Sequence, residues 1–300
     1  MSAQPRIACA LCVGSAPEAF LAATLASIAD VVDTLVVNDN SGARRSANVA
    51  VLESSAFAAG GRLRIGAHPF VDFAGMRNDA QAMLVALDPP PEWVLFIDAD
   101  EVHGSQIRSI ARGVLPRLGP DVAQLDGYTY HFWGTFRWIS DVARRMAFYR
   151  FSPTLRWENA VHEKLRGTRG RDVVVPYVYH HYGNVLPPRL LAEKHQRYYR
   201  LGNPVPRPPD PHEATLATYL ERSREIRPYC GAHPAAARDT IAAIERESRD
   251  AFATLDAGFR ARRTAPAILR SSLQGLVEDL RVRARYVEHP GLYRAPMVAQ

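Results

Sequence analysis

Three acidic residues crowd into four positions at Asp98-Ala99-Asp100-Glu101, directly behind an apolar run, Trp93–Ile97. Two carboxylates this close repel each other, and a divalent cation neutralises them most simply. Hard oxygen ligands on a loop suit Mg²⁺ or Mn²⁺, with a diphosphate and waters completing the shell. A helix N-cap on a solvated acidic turn would use the same residues without any chemistry. A second acidic residue, Asp39, closes the run Val36-Val37-Asn38-Asp39-Asn40-Ser41. A third segment, Asp72 to Ala80, opens a helix with Arg77 and Asn78 in its first turns. The helix dipole disfavours arginine there, so a ligand phosphate or a carboxylate partner would explain it. Asp79 is a local alternative partner.

The elements that must place these residues alternate regularly. Arg6–Val13, Thr34–Val37, Arg62–Gly66 and Trp93–Ile97 read as strands, and Pro17–Ala29, Ala43–Ala58 and Phe73–Leu87 as helices. Trp93–Ile97 is apolar throughout, as a central strand covered on both faces would be. The order β-α-β-α-β-α-β predicts an α/β fold with a mostly parallel central sheet. In such sheets the ligand crevice lies outside the carboxyl ends of the strands, which is where Asp39, Asp98 and Asp100 fall. Beyond Asp100, Ser105–Leu118 reads as a helix, and Val122–Trp133, Arg145–Phe151 and Asp172–Tyr182 as strands. Residues 187–234 hold nine prolines, most of them between Pro204 and Pro211. That cluster reads as a linker between a domain of residues 1–200 and an α-helical extension of residues 201–300, with helices over Ala214–Ile226, Ala235–Leu255 and Ala267–Tyr286.

The three acidic and basic segments, in this order and spacing, resemble glycosyltransferase family 2 with its GT-A nucleotide-sugar-binding fold, over about residues 6–200. The resemblance implies that the first strand opens the nucleotide pocket with Cys12 and Val13. It implies that Asp39 contacts the base and that Arg77-Asn78 lies near the nucleotide. Asp98 would point to the ribose and share the metal, with Asp100 as the principal metal ligand. Relatives often carry an acidic or Asn-Glu pair soon after the first strand, whereas this sequence has Gly14-Ser15-Ala16-Pro17-Glu18. Trp157-Glu158-Asn159-Ala160-Val161-His162-Glu163-Lys164-Leu165 is similar to the Val-His-Glu segment of a bacterial subgroup. His180-His181-Tyr182-Gly183 and Lys194-His195-Gln196-Arg197-Tyr198 are similar to the same subgroup.

The resemblance further implies a metal-dependent transfer of a sugar from a nucleoside diphosphate sugar, UDP-sugar first, to an acceptor hydroxyl with inversion. Such a displacement needs a general base for the hydroxyl and positive charge for the leaving diphosphate. Glu163 is the first candidate base and Asp141 the second; Glu163 could instead pair with Lys164 or Arg166. Neutral imidazole ligates Mn²⁺, so His181 or His162 could add a metal ligand. The acceptor, a saccharide, glycolipid or other hydroxyl compound, would meet residues 130–145 and 187–300. His131, Trp133, Phe136 and Trp138 could stack on sugar there or belong to the core.

Composition narrows the rest. Of 300 residues, 47% are hydrophobic and 23% charged, ordinary for a globular chain. Three cysteines exclude a disulfide framework, and Cys9 and Cys12 alternate onto opposite faces of a strand. Residues 1–100 carry 6 Arg against 11 Asp and Glu; residues 101–300 carry 31 Lys and Arg against 20 Asp and Glu. The basic half suits an anionic ligand or surface. The arginine-rich stretch Pro266–Arg285 could lie on an anionic membrane surface, pack against the domain or form a dimer contact. No apolar run spans a bilayer, and Met1–Pro5 lacks a signal layout, so a cytoplasmic site is expected, at the inner membrane face if that stretch binds lipid. A nucleotidyltransferase would need a glycine-rich basic loop after the first strand, absent from Cys12–Ala16. A non-catalytic basic binding protein is the other rival, but no nucleic-acid-binding motif occurs.

Overall fold

The computed structural model of the chain describes residues 4–42, 45–202, 207–220 and 226–262, together with 269, 270, 273 and 277. Its first part runs β1 (Ile7–Val13), α1 (Leu21–Ile28), β2 (Thr34–Asp39), α2 (Asn48–Glu53), α3 (Ala56–Ala59), β3 (Leu63–Ala67), α4 (Phe73–Val85), β4 (Trp93–Phe96) and β5 (Glu101–His103). Next come α5 (Gln106–Ser109), β6 (Val122–Trp133), β7 (Thr135–Arg150), β8 (Arg156–Glu158), β9 (Lys164–Arg166), β10 (Arg171–His181) and α6 (Pro188–Arg200). The last elements are α7 (Leu216–Leu220), β11 (Arg227–Pro228), α8 (Arg238–Glu247) and α9 (Arg249–Ala261).

A nine-stranded sheet takes the order β3-β2-β1-β4-β7-β6-β10-β5, with β11 added on β7. Strands β3, β2, β1 and β4 are parallel; β7 then runs against β4 and β6. The α/β class expected from the alternation is the one found. Residues of β1 alternate between two cores. Ile7, Cys9, Leu11 and Val13 face α1, while Ala8 packs with Val94, Phe96 and Trp157 on the side of α4, the period-two pattern of a strand covered on both faces. The chain moves outward from β1 to β3, then returns through α4 to β4 on the other side of β1. That reversal of order is the topological switch point, where α/β sheets bind ligands.

Only residues 97–100 separate β4 from β5, although three strands lie between the two in the sheet. Four residues cannot cross a flat sheet of that width with slack, so the sheet curls and the acidic segment bridges the curl. Thr24 of α1 donates to the Ala99 carbonyl at 3.0 Å, and the Tyr182 amide donates to the Asp100 carbonyl at 2.9 Å. Two neighbouring carbonyls at the end of the bridge nearest β5 are thus tied down.

Several expected elements differ. The helix expected over Ala43–Ala58 is broken where Ser55 caps the α3 amide of Ala58. The helix expected over Ser105–Leu118 is α-helical only to Ser109, widens over Ile110–Val114 and tightens at Leu115–Arg117. Pro116 has no amide proton to continue the ladder. Residues 130–145 are not an open acceptor loop. They form the body of the β6–β7 hairpin, turned at Gly134 with φ +72°. Trp133, Phe136 and Trp138 are buried, packed against Tyr219, Phe252 and Phe259, so they are core and not sugar platforms. β5, β8 and β9, three residues each, are too short to show a period. The helix expected over Ala267–Tyr286 falls almost entirely outside the described residues. No described helix is long and apolar enough to cross a membrane.

β10 carries an irregularity between Val174 and Val178, and Gly127 of β6 faces it. A Cβ on Gly127 would lie 2.8 Å from the Tyr177 ring and 2.9 Å from its carbonyl oxygen. Backbone cannot yield as a flexible side chain does. Gly127→Ala should therefore destabilise the protein by about 1–3 kcal/mol, read as a lower urea midpoint with an unchanged slope.

Candidate functional site

β4 is buried at every position and delivers the chain to the carboxyl edge of the sheet. There Asp98 is gripped by two guanidiniums. Its Oδ1 accepts from Arg77 Nη2 at 2.6 Å and its Oδ2 from Arg145 Nη2 at 2.7 Å. Arg145 also pairs with Glu101, and Arg77 Nε donates to Glu163 Oε1 at 2.6 Å. Glu101 in turn accepts the Asp98 amide at 2.9 Å. The Phe96 ring lies 4.3 Å from the Arg77 guanidinium carbon and 5.4 Å from that of Arg145, an arrangement that suits the ring quadrupole. Register explains the convergence. Leu95 pairs with Phe148 on the antiparallel β7, so Arg145 emerges beside the residues just past β4. Arg77 is the fifth residue of α4, whose N-cap Asp72 accepts the Gly75 amide at 2.6 Å.

The two aspartates of the bridge live in opposite surroundings. Burial works to raise Asp98, but the Arg77 and Arg145 charges outweigh it and hold the carboxyl well below its usual range. For Asp100, burial and the nearby Asp98 charge raise the carboxyl, against the pull of Lys194. Its Oδ1 is buried and has no hydrogen bond among the described residues. The nearest groups are His181 Nε2, 3.4 Å from Oδ1, and Lys194 Nζ, 3.8 Å from Oδ2. Burial, with Lys194 and Arg145 adding to it, pulls His181 well below the usual imidazole range. His181 Nδ1 lies 3.0 Å from His131 Nδ1, and burial pulls His131 down to about 3. Both rings are therefore neutral near pH 7. Glu18, in the stretch after β1, belongs to the same field. Burial first, and then Asp100, push its carboxyl up to about 7.

The structure gathers some expected site residues and redirects others. Asp98, Asp100, His181, Arg77 and Glu163 converge. Asp98, however, spends both oxygens on arginines, which leaves Asp100 and His181 as the open donors. Arg77 is 5% exposed and tied to Asp98 and Glu163, not to Asp79; it supports the site from beneath. Glu163 pairs with neither Lys164 nor Arg166. Its segment is not extended: residues 159–163 form the β8–β9 turn, with φ +74° at Asn159 and +56° at His162. Asn78 exchanges hydrogen bonds of 2.9 Å with both backbone groups of Trp157, so it seats β8. Asp39, opposite Val13 in register, accepts the amides of Ser41 and Ser46 at 3.1 and 3.0 Å. It shapes the loop after β2. Cys12 lies part-buried under Met76, its thiol pushed up to about 12 by burial, so it offers no thiolate. Asp141 is exposed on β7, opposite His131, and cross-strand partners share a face. That places Asp141 on the side where His131 meets His181.

Arg145, Lys194 and Asn48 had no assigned role in the sequence. Asn48 donates to the carbonyls of Gly14 and Ala16 at 3.0 and 2.9 Å and accepts the Glu18 amide at 2.8 Å, which fixes the loop after β1. The Arg144-Arg145 pair inside a strand was the available signal for Arg145, because one of two adjacent strand arginines must point inward.

Among the described residues no three His, Cys, Asp or Glu side chains gather around one point. A caged metal does not fit. A cation held by one carboxylate and one imidazole, with a diphosphate and water completing its shell, does. The orphaned Asp100 oxygen facing the neutral His181 ring is the observation that meets this requirement.

No protein-family model matches the chain, and no curated protein does. Among solved structures, the chain is similar to glucosyl-3-phosphoglycerate synthase from Mycobacterium tuberculosis, solved with Mn²⁺, UDP and phosphoglyceric acid. The identity is 18%, the TM-score 0.28, and the match covers 42% of this chain and 43% of that one. It is similar to GalNAc-T7, solved with UDP, GalNAc and Mn²⁺, at 7% identity and TM-score 0.31, over 48% and 30% of the two chains. It is also similar to 4-diphosphocytidyl-2C-methyl-D-erythritolsynthase from Anaerococcus prevotii, at 12% identity and TM-score 0.31, over 61% and 89%. The chain thus spans less than half the length of the first two. At these scores function has to be argued from the site. A groove of about 500 Å³ lies elsewhere, between the start of β7 and α8–α9, lined by Arg137, Arg246, Arg249 and Asp256 among others.

The charge network has two measurable consequences. Arg77→Met leaves Asp98 and Glu163 short of a buried cation and should cost about 3–5 kcal/mol, measured by urea unfolding. Glu18 binds its proton more tightly in the folded protein than unfolded. Its contribution to stability is complete below pH 4.5 and is lost as pH rises through about 7. The stability of Glu18→Gln, measured by urea unfolding across that window, should fall less with pH than that of the parent.

Proposed function

We propose that this chain is a metal-dependent glycosyltransferase of the GT-A type, moving a sugar from a UDP-sugar or related donor to an acceptor hydroxyl with inversion. The observation that carries the reading is the Asp100 carboxylate. It stands at the switch point of the sheet, has one buried oxygen without a hydrogen bond among the described residues, and faces a neutral imidazole. Asp100 and His181 would hold Mn²⁺ or Mg²⁺, which when bound supplies charge to the leaving diphosphate. Asp39 orders the loop after β2 and Asn48 the loop after β1, so the two edges of a nucleotide pocket are rigid. Asp98, locked between Arg77 and Arg145, holds the bridge in register. Arg145, 25% exposed, leaves part of its guanidinium available to a phosphate.

Glu163 suits the role of base. Arg77 fixes one oxygen, and Oε2 has no hydrogen bond among the described residues. That oxygen can accept the proton of an acceptor hydroxyl as its oxygen attacks the anomeric carbon and the diphosphate leaves. Asp141 is the second candidate. The acceptor is a saccharide, glycolipid or similar hydroxyl compound.

UDP, GDP, dTDP and CDP, each with and without Mn²⁺, should be compared by thermal shift. One of them is expected to stabilise the protein only with metal, and Asp100→Ala should lose that shift while keeping its own melting temperature. Equal stabilisation in chelator contradicts the reading. With the donor so found, Glu163→Gln should lose transfer by about 10²–10⁴-fold while donor binding survives. Activity within about threefold, well short of that range, assigns the base to Asp141.

A further inference from the structure

Asp100 already holds a cation that belongs to the protein. Lys194 reaches from α6 to 3.8 Å from Asp100 Oδ2 and donates to the Gly183 carbonyl at 2.9 Å. The chain has only two lysines, Lys164 and Lys194. Every other fixed cation is a guanidinium, a planar fork; an ammonium is a compact point charge that can stand where a metal ion would. Its position is not casual. Leu191 and Ala192 bury α6 against the fold, and Tyr198, one turn beyond Lys194, stacks on Phe73 with ring centroids 5.1 Å apart.

The surroundings are shaped around this contact. A Cβ on Gly183 would lie 2.1 Å from Asp100 Oδ2, 2.7 Å from Lys194 Nζ and 2.8 Å from His181 Nε2. Only glycine allows carboxylate, ammonium and imidazole to close on one point. Lys194 sits on the Oδ2 side, and the orphaned Oδ1 faces His181. A divalent ion bound to Asp100 and His181 would therefore meet the ammonium across a single carboxylate. Two positive charges at that separation in a half-buried site oppose each other strongly.

We propose that Lys194 is the built-in counter-ion of Asp100 and competes with a divalent cation for that carboxylate, so that the donor-free protein binds metal weakly. The metal is the one assigned to Asp100 and His181 in the glycosyltransferase reading, and to that extent the proposal rests on that reading. The competition itself concerns only Asp100, Lys194 and the ion.

The test is Mn²⁺ titration of the full chain without nucleotide, monitoring the electron paramagnetic resonance signal of free Mn²⁺. Lys194→Met and Lys194→Gln should bind Mn²⁺ on the order of tenfold or more tightly than the parent, since a unit charge a few ångström from the ion has been removed. Lys194→Arg, which keeps the charge, should bind no more tightly than the parent. The Gln variant keeps a donor for the Gly183 carbonyl, so it guards against a loss of fold in the Met variant. Unchanged or weaker Mn²⁺ binding in both neutral variants overturns the proposal, as does an absence of Mn²⁺ binding in every protein. Tighter Mn²⁺ in the neutral variants without nucleotide binding by the parent would support the competition and contradict the glycosyltransferase reading.

Discussion

The Asp98 carboxylate between two guanidiniums is the contact on which the rest of the site depends. Asp98 begins the bridge that joins β4 to β5 across a curled sheet. A part-buried carboxylate among other acids is stabilised there by two opposite charges. Arg77 comes from α4 and Arg145 from β7, so the contact fastens helix and hairpin to the switch point at once. Each arginine gives a further donor to a second acid. Glu163 is held at the β8–β9 turn, and Glu101 is held at the start of β5. Phe96 lies against both cations.

That arrangement divides labour between two neighbouring aspartates. Pairs of acids whose surroundings drive them apart commonly take different roles. Asp98 is driven down, with both oxygens on arginines; Asp100 is driven up, and its Oδ1 has no hydrogen bond among the described residues. The rigidity of the first makes the availability of the second possible, because the bridge cannot relax to satisfy Asp100 elsewhere. The Lys194 charge favours the ionised Asp100 carboxylate, against burial and the Asp98 charge.

Much of this is legible in the sequence where the signal is local. The apolar Trp93–Ile97 run, the turn after Val37 and the helix behind Asp72 each announce an element, and their alternation places Asp39 and Asp98 at one edge. The need of Arg77 for an anionic partner also shows in its place near a helix start. What stays hidden is long-range. Arg145 meets Asp98 only because β7 runs antiparallel to β4 and is longer than its polar middle suggests. Its early residues, Phe136 and Trp138, are core because α9 covers them. Residue type alone also weights Asp98 and Asp100 alike. Only their partners distinguish them, and those partners lie 21, 47 and 94 residues away from the aspartates they hold.

Asp100, and not Asp98, is the residue expected to receive the metal that accompanies a nucleotide donor. Crystals grown with UDP and Mn²⁺ and measured at the manganese absorption edge would test this most directly. One anomalous peak is expected within ligand distance of Asp100 and His181, with diphosphate density beside it and Asp98 still held by Arg77 and Arg145. A peak on Asp98 with the arginines displaced, or nucleotide bound with no metal at Asp100, would contradict it.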